Sequence, residues 1–249
     1  MSESLSDDDH VRRKEARITM LGVIGGVGFF EEAFKNTEGE EIDTPFGTTH
    51  MFLSENIAFV PRHGIQSNVP PHKINHRANI IAFRTKGISK IIGVNSVGSL
   101  KTDISPLSIL IPHDYINFWN IATYFDDKIV HIVPQLDENL RQMLLSLSEK
   151  YGLEVVKNGV YIQTTGPRLE TKAEIKMLTS FGDMVGMTMA SEATLTKEME
   201  IAYASICSVD NYAHGITDEP LKSETIIKNA RENSIRIRDF LFKAAGEFE

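Results

Sequence analysis

Short, almost wholly apolar runs recur along this chain, and most of them end in glycine or in small polar residues. Ile18-Thr-Met-Leu-Gly-Val-Ile24 runs into Gly25 and Gly26, and Ile57-Ala-Phe-Val60 runs into Pro61-Arg62-His63-Gly64. Ile88 to Val94 is followed by Asn95-Ser96, and Ile201 to Val209 by Asp210-Asn211-Tyr212. Apolar runs of this length without polar alternation are strands covered on both faces. Stretches of helical period separate them, so the chain predicts an α/β architecture. No repeat, low-complexity tract or linker interrupts the pattern, which gives a single domain over residues 17–249 behind a frayed tail of residues 1–16.

Between the buried runs the local signals are specific. Thr49-Met-Phe-Leu53 and Ile57 to Val60 form a hairpin around Ser54-Glu-Asn56, a helix spans roughly Ile74 to Thr85, and Leu107 to Ile111 is strand-like. Asp137 caps a helix whose Leu140, Met143, Leu144, Leu147 and Tyr151 share a face, with Gly152 as its stop. Thr171-Lys-Ala-Glu174 is a capping box, with Gly182 closing that helix. Met184 to Thr188 reads as a strand, Ser191 as the cap of a further helix, and Ser223 to Ala245 as one long helix.

Composition narrows the partners. A formal charge of −8 counts against a general nucleic-acid binder. No apolar run approaches the roughly 18 residues of a membrane span, and the first residues carry no hydrophobic signal segment. Cys207 is the single cysteine and sits in an apolar run, so it reads as a buried structural thiol in a reduced, cytoplasmic protein.

The candidate chemistry lies at the strand ends. Gly22-Val-Ile-Gly25-Gly26-Val27-Gly28 lets backbone N–H groups approach an anion. It is not a dinucleotide fingerprint, because Phe29, Phe30 and Glu31 stand where a third glycine or alanine belongs, and no Gly-Lys-Ser/Thr follows to make a P-loop. Arg62 and His63 follow a strand, and Arg offers a planar fork of donors to an oxyanion. Val94-Asn95-Ser96-Val97-Gly98-Ser99, Gly166-Pro-Arg-Leu-Glu170-Thr, Gly186-Met187-Thr188 with Glu192 behind it, and Val209-Asp210-Asn211-Tyr212 add further polar sets. In open α/β sheets such sets gather around one pocket at the carboxyl edge. His72 and His76 are four apart, but no Glu follows the first, so they read as a structural pair with no metal.

Gly25-Gly26-x-Gly28, Thr44-Pro45-Phe46-Gly47, Pro61-Arg62-His63-Gly64, Pro70-Pro71-His72-Lys73-Ile74-Asn75-His76-Arg77-Ala78-Asn79-Ile80, Val97-Gly98-Ser99-Leu100, Gly166-Pro167-Arg168 and Gly186-Met187-Thr188 occur in that order. Together they resemble the trimeric purine nucleoside phosphorylase family, and most of all its 5′-methylthioadenosine phosphorylase branch. The resemblance runs from about Thr19 to the C-terminal helix.

It implies a twisted, mixed central β-sheet flanked by helices, and phosphorolysis of a purine nucleoside with inorganic phosphate as co-substrate and no cofactor. Phosphate contacts carry over onto Arg62, His63, Asn95, Ser96 and Thr188. Val27 stands where the family has a serine or threonine hydroxyl, and Ser67 where near relatives have histidine. Met187 falls under the ribose, Leu169 packs near the purine, and Glu170 and Asn211 address the base and assist its departure, with Tyr212 and Ala213 beside them. His131 falls where relatives lend a histidine to a neighbouring subunit, which implies a homotrimer or a dimer of trimers. Glu170, Asn211 and Ala213 resemble the 6-oxopurine-cleaving members, acting on inosine, guanosine or methylthioinosine. The alternatives are a methylthioadenosine phosphorylase, a hydrolytic nucleosidase and a non-catalytic purine-binding relative.

Overall fold

The structure is a computed structural model that describes residues 20–26, 29, 33, 34 and 36–248. The expected tail over residues 1–16, the start of the first strand, and Val27 and Gly28 of the glycine loop lie outside the described residues.

Among the described residues, one ten-stranded sheet organises the chain. Its strands are β1 (Leu21–Gly25), β2 (Glu40–Thr44), β3 (Gly47–Leu53), β4 (Ile57–Pro61), β5 (Lys90–Ser99), β6 (Ile109–Leu110), β7 (Asp114–Asn117), β8 (Val160–Gln163), β9 (Met184–Gly186) and β10 (Ala202–Tyr212). The order is β2-β3-β4-β1-β5-β9-β8-β7, with β10 also on β5 and β6 on β10. β1, β4, β5 and β10 run parallel, so their carboxyl ends open on the same edge. β3 returns antiparallel to β4 through Phe52↔Phe59 and Leu53↔Ala58, which is the expected hairpin.

Helices cover both faces. α1 (His76–Thr85) and α4 (Met189–Glu198) pack on one side with Ile24, Val60, Ile91 and Tyr203. α2 (Glu138–Lys150) and α5 (Ser223–Ala244) pack on the other with Leu21, Val23, Phe59 and Ile206. Neighbours Val23 and Ile24 fall in opposite layers, as the two-residue period of a strand requires. α3 (Lys172–Leu178) adds a smaller cluster, Ile175 and Leu178 against Ile162 and Val185. Among the described residues no helix is long and apolar enough to cross a membrane.

Caps explain several boundaries. The Asp137 side chain accepts from the Leu140 amide to start α2, and Thr171 with Glu174 makes the reciprocal capping box of α3. Ser191 is not the cap of α4. That helix begins after Thr188, and its first amides are satisfied from β8. The Tyr161 hydroxyl accepts from the Thr188 and Met189 amides at 3.1 and 3.3 Å, and Gln163 Oε1 accepts from Ala190 and Ser191 at 2.8 and 3.2 Å. A cap borrowed from another element leaves no local sequence signal.

Other boundaries also move. Asn95 to Ser99 lie inside β5, not after it, because β10 pairs with this stretch on one side and β9 on the other. The expected strand at Leu107 to Ile111 shrinks to two residues, since Leu107 has φ +70°, outside extended geometry.

Candidate active site

The carboxyl ends of β1, β4, β5 and β10 meet β9 and α5 around a cavity of about 590 Å³. Its lining includes Arg62, His63, Asn95, Ser96, Leu169, Glu170, Met187, Thr188, Asn211 and Ala213. Residues up to a hundred and more positions apart are therefore gathered at one edge, where parallel sheets place ligands. Tyr212 does not line it. Its hydroxyl donates to the Thr102 carbonyl at 3.1 Å, outside the cavity. His131 is exposed and lies outside the lining as well.

Arg62 is held on every side. Nε and Nη2 donate to the two carboxylate oxygens of Glu192, Nη1 donates to the Val94 carbonyl at 2.8 Å, and Nη2 to that of Ile24 at 3.1 Å. Burial opposes its charge, but the Glu192 carboxylate more than compensates and raises its pKa. With four of its five N–H groups engaged, Arg62 has one Nη1 hydrogen left for a ligand. Tyr203 completes the set by donating to Glu192 Oε2 at 2.7 Å.

That hydroxyl occupies the space a side chain at residue 93 would fill, so β5 carries Gly93 there. Gly93→Ala is expected to push Tyr203 off Glu192 and to cost about 1–3 kcal/mol, or more, by overpacking. Urea unfolding checks this, and a change below about 0.5 kcal/mol would show that Tyr203 repacks freely.

A relay of neutral groups sits beside the arginine. Ser205 donates to Asn95 Oδ1 at 2.8 Å, and Asn95 Nδ2 donates to Thr188 Oγ1 at 2.9 Å. Because the Thr188 oxygen is already accepting, its own hydrogen is available to an anion. Ser96 differs, since its hydroxyl is committed to Asp210. His63 Nδ1 lies 2.7 Å from the Val69 carbonyl, so this nitrogen carries the proton and leaves Nε2 as an acceptor. Burial, and then the Arg62 charge, lower its pKa and keep the ring neutral at pH 7.

Glu170 also lines the cavity; it is buried and its Oε1 accepts from the Thr164 hydroxyl at 2.6 Å. Asn211 Nδ2 donates to the Tyr212 carbonyl at 2.7 Å. Gly98, its register partner on β5, leaves room for the amide, because a methyl there would come within 3.2 Å of Nδ2. Leu221, Ile226, Ile227 and Ala230 give the cavity an apolar wall. This wall escaped the sequence reading, which gave a long helix from Ser223 to Ala245 and no role to its apolar residues. Asp210 stood in a strand-end set without a role of its own, and Ser205 and Tyr203 were not singled out. Polar side chains inside an apolar strand were the only signal for them.

The arrangement is that of an α/β protein built to hold a small anion and a polar ring in one cleft. Residues 20–245 match the Phosphorylase superfamily, and the chain belongs to that family. A chain of Archaeoglobus fulgidus named a probable 6-oxopurine nucleoside phosphorylase is 43% identical over 221 residues, covering 86% of this chain and 91% of that one. One of Methanocaldococcus jannaschii, named a probable S-methyl-5′-thioinosine phosphorylase, is 37% identical over 243 residues, covering 92% and 94%. The methylthioadenosine phosphorylase of Schistosoma mansoni solved with adenine shares the fold, with a TM-score of 0.80 at 24% identity over 91% of this chain and 90% of that one.

Proposed function

We propose that this protein is an enzyme that splits 6-oxopurine nucleosides with inorganic phosphate, releasing the base and a ribose 1-phosphate. The observation that carries the reading is that Arg62, Asn95 and Thr188, a set suited to an anion, and Glu170 and Asn211, a set suited to a base, line one cavity. Phosphate at the first set is both nucleophile and counter-charge for an oxocarbenium-like sugar, and the groups that hold it are fixed before it arrives. The Nη1 hydrogen of Arg62 and the Thr188 hydroxyl are its donors, and neutral His63 accepts a hydrogen bond from the hydroxyl of hydrogen phosphate. Met187 lies under the ribose, and no cofactor takes part.

Product analysis tests the reading. With inosine and excess phosphate, ribose 1-phosphate supports it, whereas free ribose would make the protein a nucleosidase and no product a binding relative. Thr188→Val keeps the shape and removes the hydroxyl, so phosphate efficiency is expected to fall about 10- to 150-fold. Initial rates against phosphate concentration check it, and an unchanged phosphate KM would displace Thr188 from the anion site.

The apolar wall of Leu221, Ile226, Ile227 and Ala230 supports a 5′-methylthio group at the remaining end of the sugar. The relatives named for 6-oxopurine nucleosides and for methylthioinosine both fit this reading. The protein acts in the cytoplasm as a homotrimer or dimer of trimers. The support is a segment whose Phe118, Ile121, Ile129 and Val133 are each at least 60% exposed, with His131 within it. So much exposed apolar surface suits a covered interface.

A further inference from the structure

We propose that Asp210 is the acid that hands a proton to the departing purine, an inference that rests on the phosphorolytic reading above. The first argument is its place in the sheet. β10 pairs with β5 residue by residue as far as Val209↔Val97, and pairing then resumes at Asn211↔Gly98. Asp210 is the extra residue, a β-bulge. In a regular strand adjacent side chains point to opposite faces, whereas a bulge re-aims one of them. Here both Asp210 and Asn211 line the cavity.

The second argument is how the carboxyl is held. Asp210 is fully buried, with Ser96 donating to Oδ2 and Ser208 to Oδ1. Its own carbonyl accepts from Asn229 Nδ2 at 2.9 Å, which ties the bulge to α5. The ionisable groups lining the same cavity are Arg62, already matched by Glu192, together with His63, Glu170, His214 and Arg231. Burial raises the Asp210 carboxyl to about 6, with the two serine hydroxyls working against that rise. A buried acid in this range exchanges its proton near neutral pH.

The third argument is chemical need. As the C1′–N9 bond breaks, its electron pair stays on the purine while a phosphate oxygen bonds to C1′. The purine takes a proton on N7 from Asp210, which becomes a carboxylate. The proton that hydrogen phosphate loses on becoming an ester reaches solvent, and solvent returns one to Asp210. Asn211 can donate a hydrogen bond to the base but does not give up its proton, and Glu170 serves as an acceptor. Asp210 supplies what its neighbour cannot.

Asp210→Asn preserves shape and removes the transferable proton. Inosine kcat is expected to fall at least about 100-fold, and 7-methylinosine kcat less than about 3-fold, because the methylated, cationic N7 lets the base leave without a proton. Calorimetric binding of hypoxanthine reports whether the pocket is intact, and Asp210→Ser replaces the first variant if that one does not fold. Equal losses on the two nucleosides with hypoxanthine still bound, or full inosine turnover by the variant, overturn the role of Asp210. Failure of the wild-type protein to cleave both inosine and methylthioinosine with phosphate would instead overturn the phosphorolytic reading.

Discussion

Replacing Glu192 with alanine is expected to destabilise the protein by about 3–5 kcal/mol, lowering Tm by about 6–20 °C for a chain of this size. Both partners of the Arg62–Glu192 pair are buried, at 3% and 0% side-chain exposure. Losing the carboxylate leaves a guanidinium with only 3% of its side chain exposed and no counter-charge, and a Tyr203 hydroxyl without its acceptor. The remaining Val94 and Ile24 carbonyls satisfy hydrogen bonds but supply no counter-charge. Glu192 also lies in the first turn of α4, where a negative charge opposes the helix dipole, so its loss removes that term as well. An exposed pair gives the contrast. Lys150–Glu247 is 57% and 37% exposed at its two side chains, and Glu247→Ala should leave Tm close to that of the wild-type protein. Replacing both members, Arg62→Met with Glu192→Leu, should recover much of the stability, since a packed apolar pair avoids the desolvation cost. It should not recover phosphate use. Urea unfolding and phosphate kinetics on the same variants separate the two roles, and a loss below about 1 kcal/mol for Glu192→Ala would mean that water reaches Arg62.

What could be read in the sequence depended on whether a signal was local. The Asp137 cap and the Thr171–Glu174 box lie within a few residues of the helices they start, and both stand as expected. The hairpin at Ser54-Glu-Asn56 was legible for the same reason. β2 was not, because only Ile42 of Glu40–Thr44 is buried and no apolar run marks it. β7 and β8 were missed too. Asp114–Asn117 is polar at both ends, and Val160–Gln163 is short. Gln163 then caps α4 from across the sheet, a contact that no sequence spacing encodes. The strand-end groups of the cavity were visible because polar residues break apolar runs there. The bulge at Asp210 was invisible, since it exists only relative to the register of β5.

The protein is expected to cleave inosine, guanosine or methylthioinosine at least about 100-fold more efficiently than the matching adenine nucleoside. Two groups of fixed polarity line the cavity. Glu170 is buried, with Thr164 oriented toward one of its oxygens, and a carboxylate can only accept hydrogen bonds. It therefore matches the ring N–H of hypoxanthine or guanine and faces adenine with lone pair against lone pair. The Asn211 amide offers N–H groups to the six-position oxygen or to the adjacent ring nitrogen, once binding draws it from the Tyr212 carbonyl. Ala213 is buried beside them and brings no carboxylate of its own. A wrong base thus leaves two polar groups unpaired away from water, a penalty that sites of this kind turn into as much as about 10⁴-fold discrimination. Asn211→Asp should narrow the gap, because an ionised aspartate repels the six-position oxygen and accepts from an amino group. The check is kcat/KM for each pair of nucleosides at saturating phosphate, on the wild-type protein and on Asn211→Asp. Faster cleavage of methylthioadenosine than of methylthioinosine by the wild-type protein would mean that Glu170 does not face the ring N–H, and that the base sits in the cavity turned the other way.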